Sequence, residues 1–328
     1  MSNASTASNY GVVYPYFRLR EILEDAREGF VYKIALFQAA RLRSHLGVDG
    51  GRLRERVAEV LGSLESIQQG RLSAILERND PEVLASLLLE ASKAGSRGDL
   101  ESIRGLDVTR VWGLGLASLS EVLMLSSPSR FIAWNSRVVR GLERLGVERV
   151  VFGFAGLQQG RHQPSTLTLE KYLSLLGPME ALRDAISGEV GLPLDFLDVY
   201  IVLTREEVLE EFLEVSPGIS PATVFCGAAN RVASRRCTPI GIGACSMGGG
   251  RAGWMAHHAP LGEGEFGAVA CWSDGRLEGW VYIDGSLEWW AAHGVVSSLS
   301  LLFDRVEVYG SIDEDLAGSL AARIVVRG

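Results

Sequence analysis

Long apolar runs are missing from this chain. No stretch approaches the roughly 18 residues that a helix needs to cross a bilayer, so a membrane protein is not expected. Lysine is almost missing as well: only Lys33, Lys93 and Lys171 stand among 32 basic residues, and the bias toward arginine carries no mechanism. Cysteine is sparse, with Cys226, Cys237, Cys245 and Cys271 and no CxxC pair. That pattern is neither a disulfide scaffold nor a paired zinc knuckle. Excess positive charge is missing too. Against 40 acids the 32 bases leave a net charge of −8, which excludes coating nucleic acid by bulk charge and leaves room only for a local basic face. The first ten residues, MSNASTASNY, lack the basic start and apolar stretch of a signal peptide. A cytoplasmic protein is therefore expected.

What is present fits a globular protein. The chain has 328 residues, with 47% hydrophobic and 22% charged, enough for two domains with sizeable cores. Residues 16–198 read as helical, with apolar positions three and four apart in 16–29, 30–47 and 52–64. Asp80-Pro81 opens another helix as N-cap and first helical residue, running to Gly95 as its stop. Further helices fit 99–111, 116–125, 134–145 and 168–187, and 146–167 reads as a long loop. Residues 1–15 are expected to be a disordered N-terminus.

From about residue 199 the period changes. VYIVL (199–203) reads as a strand, and Thr204 with Glu207 as a capping box for the acidic helix that follows. FGAVACWS, Asp274-Gly275 and RLEGWVYI make a hairpin with a favoured two-residue turn. A helix fits 286–303, and strands fit 306–309 and 322–326. Residues 199–328 are thus expected to form an α/β domain of unknown function, and the whole chain an α+β protein. The net charge is −1 over residues 1–200 and −7 over 201–328.

The informative stretch is 110–146. Gly113-Leu114-Gly115 makes a tight turn between a helix arriving at Val111 and a second helix with Leu116, Leu119 and Leu123 inward. Glycines let a phosphate approach backbone N–H groups at a helix start, so an anion site there needs no basic protein. Arg130, Arg137 and Arg140 add local positive charge, with no acid between 122 and 142. The same turn also serves for plain helix packing.

Gly113-Leu114-Gly115-Leu116-Ala117-Ser118 resembles the helix-hairpin-helix motif of the base-excision DNA glycosylase superfamily. Pro128 in the following loop and Asn135-Ser136-Arg137-Val138-Val139-Arg140 at the next helix start agree with it. Residues 172–203, with Asp195 and Asp198, are similar to the helices that complete that fold. The resemblance covers about 80–203 and implies an all-α domain holding the duplex DNA backbone through Gly113, Leu114, Gly115, Ala117 and Ser118, with Arg130, Arg137 and Arg140 nearby. It departs from the family where chemistry is concerned. Asn135 stands where the family carries an aspartate that assists departure of the base, and it takes up no proton usefully at neutral pH. Ala117 stands where lyase-active members place a lysine. The iron–sulfur loop of some members is absent, so no cofactor is implied.

Three readings follow. The first is a DNA-binding protein with a glycosylase-like domain that lacks the usual catalytic aspartate. The second is a divergent DNA N-glycosylase, or another DNA-processing hydrolase, with Asn135 or Glu121 in the site. The third is a structural or oligomerising protein whose hairpin only packs.

The second half holds weaker candidates. The glycine-dense segment 238–258 lacks the ending of a P-loop and the spacing of a dinucleotide fingerprint. The four cysteines with His257, His258 and His293 are irregularly spaced and read as packing before metal ligation. If metal is bound, His257, Cys237 and Cys245 are the first candidates. Trp272 and Trp280 alternate on the hairpin and read as core before a stacking platform.

Overall fold

The computed structural model describes residues 13–47, 52–155, 157, 167–216, 219–236, 238–247, 264–283, 303–310 and 324–327. The expected disordered segment 1–15 lies mostly outside them, and α1 already begins at Val13. The protein is α+β, with a run of helices followed by a sheet. It folds as two compact units, each discontinuous in sequence: Met1–Gly141 with Ile186–Gly218, and Leu142–Ala185 with Ile219–Gly328. A single boundary at 198/199 therefore does not divide it. Two continuous helices, α8 and α10 below, each carry the chain across a division, and helices continue to Arg236.

In chain order the first unit begins with α1 (Val13–Phe37), α2 (Ala39–Leu46), α3 (Leu53–Gly62), α4 (Gln69–Arg78), α5 (Pro81–Arg97), α6 (Leu100–Arg104) and α7 (Leu116–Ser126). α8 (Ser136–Arg144), α9 (Glu148–Phe154) and α10 (Leu169–Val190) follow, then α11 (Phe196–Thr204) and α12 (Glu206–Val215) back in the first unit. The second unit closes with α13 (Pro221–Arg236) and the strands β1 (Thr238–Met247), β2 (Gly264–Ser273), β3 (Arg276–Ile283), β4 (Arg305–Gly310) and β5 (Ile324–Arg327).

The first helix does not break at Gly29, which lies on an exposed face of α1. It breaks at Gln38, where ψ turns to 126°. The carbonyl of Phe37 freed by that break is buried, and the hydroxyls of Ser92 (2.6 Å) and Ser126 (3.3 Å) donate to it. Asp80 caps α5 as expected, accepting from the Glu82 N–H at 2.7 Å, a contact worth about 1 kcal/mol. The helix overruns Gly95 and stops at Gly98, whose φ of 66° is the left-handed C-cap conformation. Gly95 instead lets α7 approach: a Cβ there would lie 3.1 Å from Leu123.

Two expectations fail between 195 and 207. VYIVL is not a strand but the body of α11, whose residues 196–203 are all buried. Asp195 and Asp198 form a reciprocal capping box at its start, and burial on every face removes the amphipathic period that marks a helix. Thr204 does not cap α12; its hydroxyl donates back to the Tyr200 carbonyl at 2.6 Å. The expected loop 146–167 also contains α9, with Val150, Val151 and Phe152 buried.

In the second unit the strands lie in the order β1-β2-β3-β4-β5. β1, β2 and β3 pair antiparallel, while β4 and β5 add in parallel. Asp274 (φ 48°) and Gly275 (φ 77°) make the β2–β3 turn, with Ser273 opposite Arg276. The hairpin stands as expected. α13 lies against β2 at Gly267, where a Cβ would come within 2.9 Å of Phe225. Phe154, Phe225, Tyr282 and Tyr309 stack as one aromatic core, with Phe154 and Tyr309 4.6 Å apart. The expected helix 286–303 lies outside the described residues but for its last residue, Phe303, which is buried.

Candidate nucleic-acid interface

In the first unit the glycine hairpin is built from a plug between two glycines. A 3-10 turn at Val108–Arg110 precedes it, where a helix running through 99–111 was expected. Gly113 adopts φ 83°, a conformation glycine takes without strain, and a Cβ there would meet Ile75 at 2.9 Å. Leu114 is buried and lines a small apolar recess with Leu87, Leu88 and Ala91. Gly115 is the N-cap of α7 and supplies no side chain to its first turn. It is exposed, and a Cβ there would meet nothing within 4 Å. The early N–H groups of a helix have no partner within the helix; at the start of α7 Gly115 is exposed, Ala117 is half-buried, and Leu116 and Ser118 are buried. Leu116, Leu119 and Leu123 point inward as expected.

Trp112, immediately before the hairpin, is 46% exposed. Asn79 clamps its backbone, accepting from the Trp112 N–H (2.7 Å) and donating to its carbonyl (2.9 Å). The Arg78 guanidinium lies 4.2 Å from the indole centroid. The sequence shows Trp112 within the motif but nothing that brings Arg78 and Asn79 to it.

The other expected site residues separate into two groups. Ser118, Glu121, Asn135 and Arg137 converge on the turn at Glu65-Ser66. Glu121 is fully buried and accepts the N–H groups of Glu65 (2.7 Å) and Ser66 (2.8 Å). Burial pushes its carboxyl up, against the lowering effect of those hydrogen bonds. Ser118 accepts from the Ser66 hydroxyl at 3.2 Å. Asn135 caps α8, its Oδ1 accepting from the N–H of Arg137 (2.9 Å) and Val138 (3.2 Å), and its amide donates to Tyr200 at 3.2 Å. Tyr200 in turn donates to Glu65 at 3.3 Å. Burial, and then the Glu65 and Glu121 charges, push the phenol far up.

Glu65 sits among three cations: Arg205 (2.5 Å), Lys33 (3.3 Å) and Arg137 (3.8 Å). Lys33 and Arg205 also lie over the Phe30 ring. Nothing in the sequence singles out Glu65 or Tyr200, because four separate segments supply this cluster.

Arg130 and Arg140 do not join it. Arg130 donates to the Arg97 carbonyl at 2.8 Å, at the C-terminus of α5. That end of α5 packs on the last turn of α7, so Arg130 lies roughly 15 Å along the helix axis from the hairpin. Arg140 is exposed and reaches back to the Ser136 carbonyl.

Among the described residues no group of three His, Cys, Asp or Glu side chains is placed to hold a metal ion. His257, His258, His293 and Cys237 lie outside the described residues, and for Cys245 only the backbone is described. Cys226 is buried, and Cys271 is disulfide-bonded and so is not a reduced core thiol. Trp280 is buried and Trp272 is 51% exposed, so the two do not form a shared platform. No helix among the described residues is long and apolar enough to cross a membrane. No protein-family model matches the chain, and no curated protein or solved structure is significantly similar to it.

Proposed function

We propose that the first unit binds the DNA backbone through the hairpin and does not excise bases. The observation that carries this reading is the exposed N-cap Gly115 of α7, which has no side chain over it, with the exposed Arg78–Trp112 stack in the residues before the hairpin. Amides at a helix start hold a phosphate oxygen, and an arginine on an indole face keeps its charge outward for a second contact. This explains how an acidic protein holds DNA. The binding is local, needs few cations, and falls as salt rises.

The lack of excision follows from what the polar cluster does. Glu121 has both oxygens committed to backbone N–H groups, Asn135 is a helix cap, and Glu65 is ion-paired. None of them is left as a proton donor or acceptor for a substrate. The glycosylase-like character of the fold belongs to the same proposal.

Titration of a labelled duplex at low salt tests it. Gly115→Leu fits the open space at that position and covers the amides, so it should fold normally and bind about tenfold or more weakly. A wild-type protein without affinity at low salt would sink the reading.

A further inference from the structure

A cavity of about 430 Å³ opens among α1, α2 and α3 of the first unit, apart from the residues assigned to DNA. Its polar lining consists of Tyr32, Arg41, Ser44, His45 and Arg56. Every one of these side chains can donate a hydrogen bond, and no carboxylate lines the cavity. Leu36, itself buried, contributes to an apolar floor.

The local sequence explains the arrangement. Helix α2 is divided by its own period: Leu42 and Leu46 are buried in the core, while Arg41, Ser44 and His45 face the cavity, at the spacing that places them on one helix face. From α3, Arg56 lies with Nη1 3.2 Å from His45 Nδ1. A guanidinium only donates, so Nδ1 is the acceptor in this contact. His45 Nε2 is buried and makes no hydrogen bond in the protein. Glu59 lies 3.2 Å from it, off the direction a hydrogen bond needs, and also meets the Tyr32 hydroxyl and Arg56. One carboxylate is thus set against two arginines and an imidazole. Arg41 has no ion pair among the described residues. The local balance is positive although the protein is acidic.

We infer that this cavity binds a phosphate monoester of mononucleotide size. A phosphate has the charge and the several acceptor oxygens that match the Arg41 and Arg56 guanidiniums and the Ser44 hydroxyl. The volume falls within the range of small-ligand sites and leaves room for a group beyond the phosphate. Tyr32, 62% exposed on the cavity wall, supplies a ring face on which a base stacks. The phosphate comes either from a free nucleotide or from the 5′ end of a strand. The site is independent of the hairpin.

Calorimetric titration of the full chain with dAMP and deoxyadenosine, and of its Gly115→Leu variant with one short oligonucleotide with and without a 5′ phosphate, tests the assignment. One dAMP or one 5′-phosphorylated strand should bind per chain, and whichever binds tighter identifies the source. Deoxyadenosine and the unphosphorylated strand should bind about tenfold or more weakly than their phosphorylated counterparts. Arg41→Ala removes an exposed side chain and should weaken the phosphorylated probe about tenfold while leaving the thermal midpoint unchanged. Gly115→Leu should leave dAMP binding intact, which separates failure here from failure of the hairpin. The inference is overturned if no phosphorylated probe binds at about 1 mM, a concentration that detects even weak sites. It is also overturned if loss of the phosphate or of the Arg41 side chain leaves affinity unchanged.

Discussion

The Asn135 amide donates to the Tyr200 hydroxyl at 3.2 Å, and that hydroxyl donates its one hydrogen to Glu65 at 3.3 Å. The direction of the chain explains why an amide rather than a carboxylate stands at 135. A carboxylate at 135 would still cap α8, since aspartate and asparagine cap about equally well. It would also compete with Glu65 for a single phenolic proton, leaving one pair of oxygens facing each other without a hydrogen.

Asn135→Asp should therefore fold with its helical content intact and lose about 1–2 kcal/mol of stability, from the unmatched oxygen pair. Urea unfolding followed by circular dichroism measures it. On a panel of damaged duplexes the wild-type protein should yield few abasic sites, and robust release of any base by purified protein would overturn that expectation.

The two hairpin glycines should respond unequally. Gly113→Ala meets both a φ of 83° and Ile75 at 2.9 Å, and should cost about 1–3 kcal/mol. Gly115→Ala meets open space at φ −113° and gives up only the N-cap preference for glycine over alanine, so it should cost roughly 0.5–1 kcal/mol. Equal losses at the two positions would show that the plug geometry around Leu114 does not govern the turn.

How legible these features were depends on whether the cause is local. The Asp80-Pro81 cap and the Asp274-Gly275 turn are written in adjacent residues, and both stand as read. The hairpin glycines are visible for the same reason, although the helix expected before them is shortened to α6 and a 3-10 turn. Residues 199–203 read as a strand because Val199, Tyr200, Ile201 and Val202 favour strands by propensity, and burial on all sides of α11 erases the helical period. Arg130 looked like part of a basic patch because it is near in sequence, yet tertiary packing places it on the C-terminus of α5. The Glu65 cluster was invisible because its ligands lie at 33, 137, 200 and 205, and no spacing rule connects them.

Arg27, on α1, joins both acids of the α11 capping box: Asp195 at 2.7 Å, and Asp198. Burial raises the Asp195 carboxyl, but hydrogen bonds from Arg27 and the Asp198 N–H, with the guanidinium charge, bring it below the usual range. A carboxyl lowered in the folded state contributes stability that is present above its unfolded pKa of about 3.9 and lost as pH falls through the folded value. Asp198, raised by burial, contributes with the opposite sign. Arg27→Met should lower stability at pH 7 by about 1–3 kcal/mol, because it leaves two part-buried carboxylates without their cation. Its deficit should shrink on acidification below pH 4, as the wild type loses the Asp195 contribution. Denaturant midpoints across that window check it, and a deficit independent of pH would show that Arg27 acts by packing alone.

Glu121 should behave with the opposite pH dependence, and it decides whether the polar cluster is structural. Its carboxyl is raised by burial, so the folded state favours the protonated form more than the unfolded chain does. The associated stability is complete below the unfolded pKa, about 4.3, and is lost as pH rises through the folded value. The two oxygens of Glu121 are the acceptors of the Glu65 and Ser66 N–H groups. Glu121→Gln offers one acceptor and sets an NH₂ against the other N–H, which should cost about 1–3 kcal/mol at pH 7. The gap between wild type and variant should widen as pH falls toward 4, since only the wild type gains stability on protonation. Ser66 also carries the hydroxyl bonded to Ser118, on the first turn of α7. Loosening the 65–66 turn should therefore weaken DNA binding along with stability. A variant as stable as the wild type at every pH, yet without DNA affinity, would instead place Glu121 in direct service of the interface.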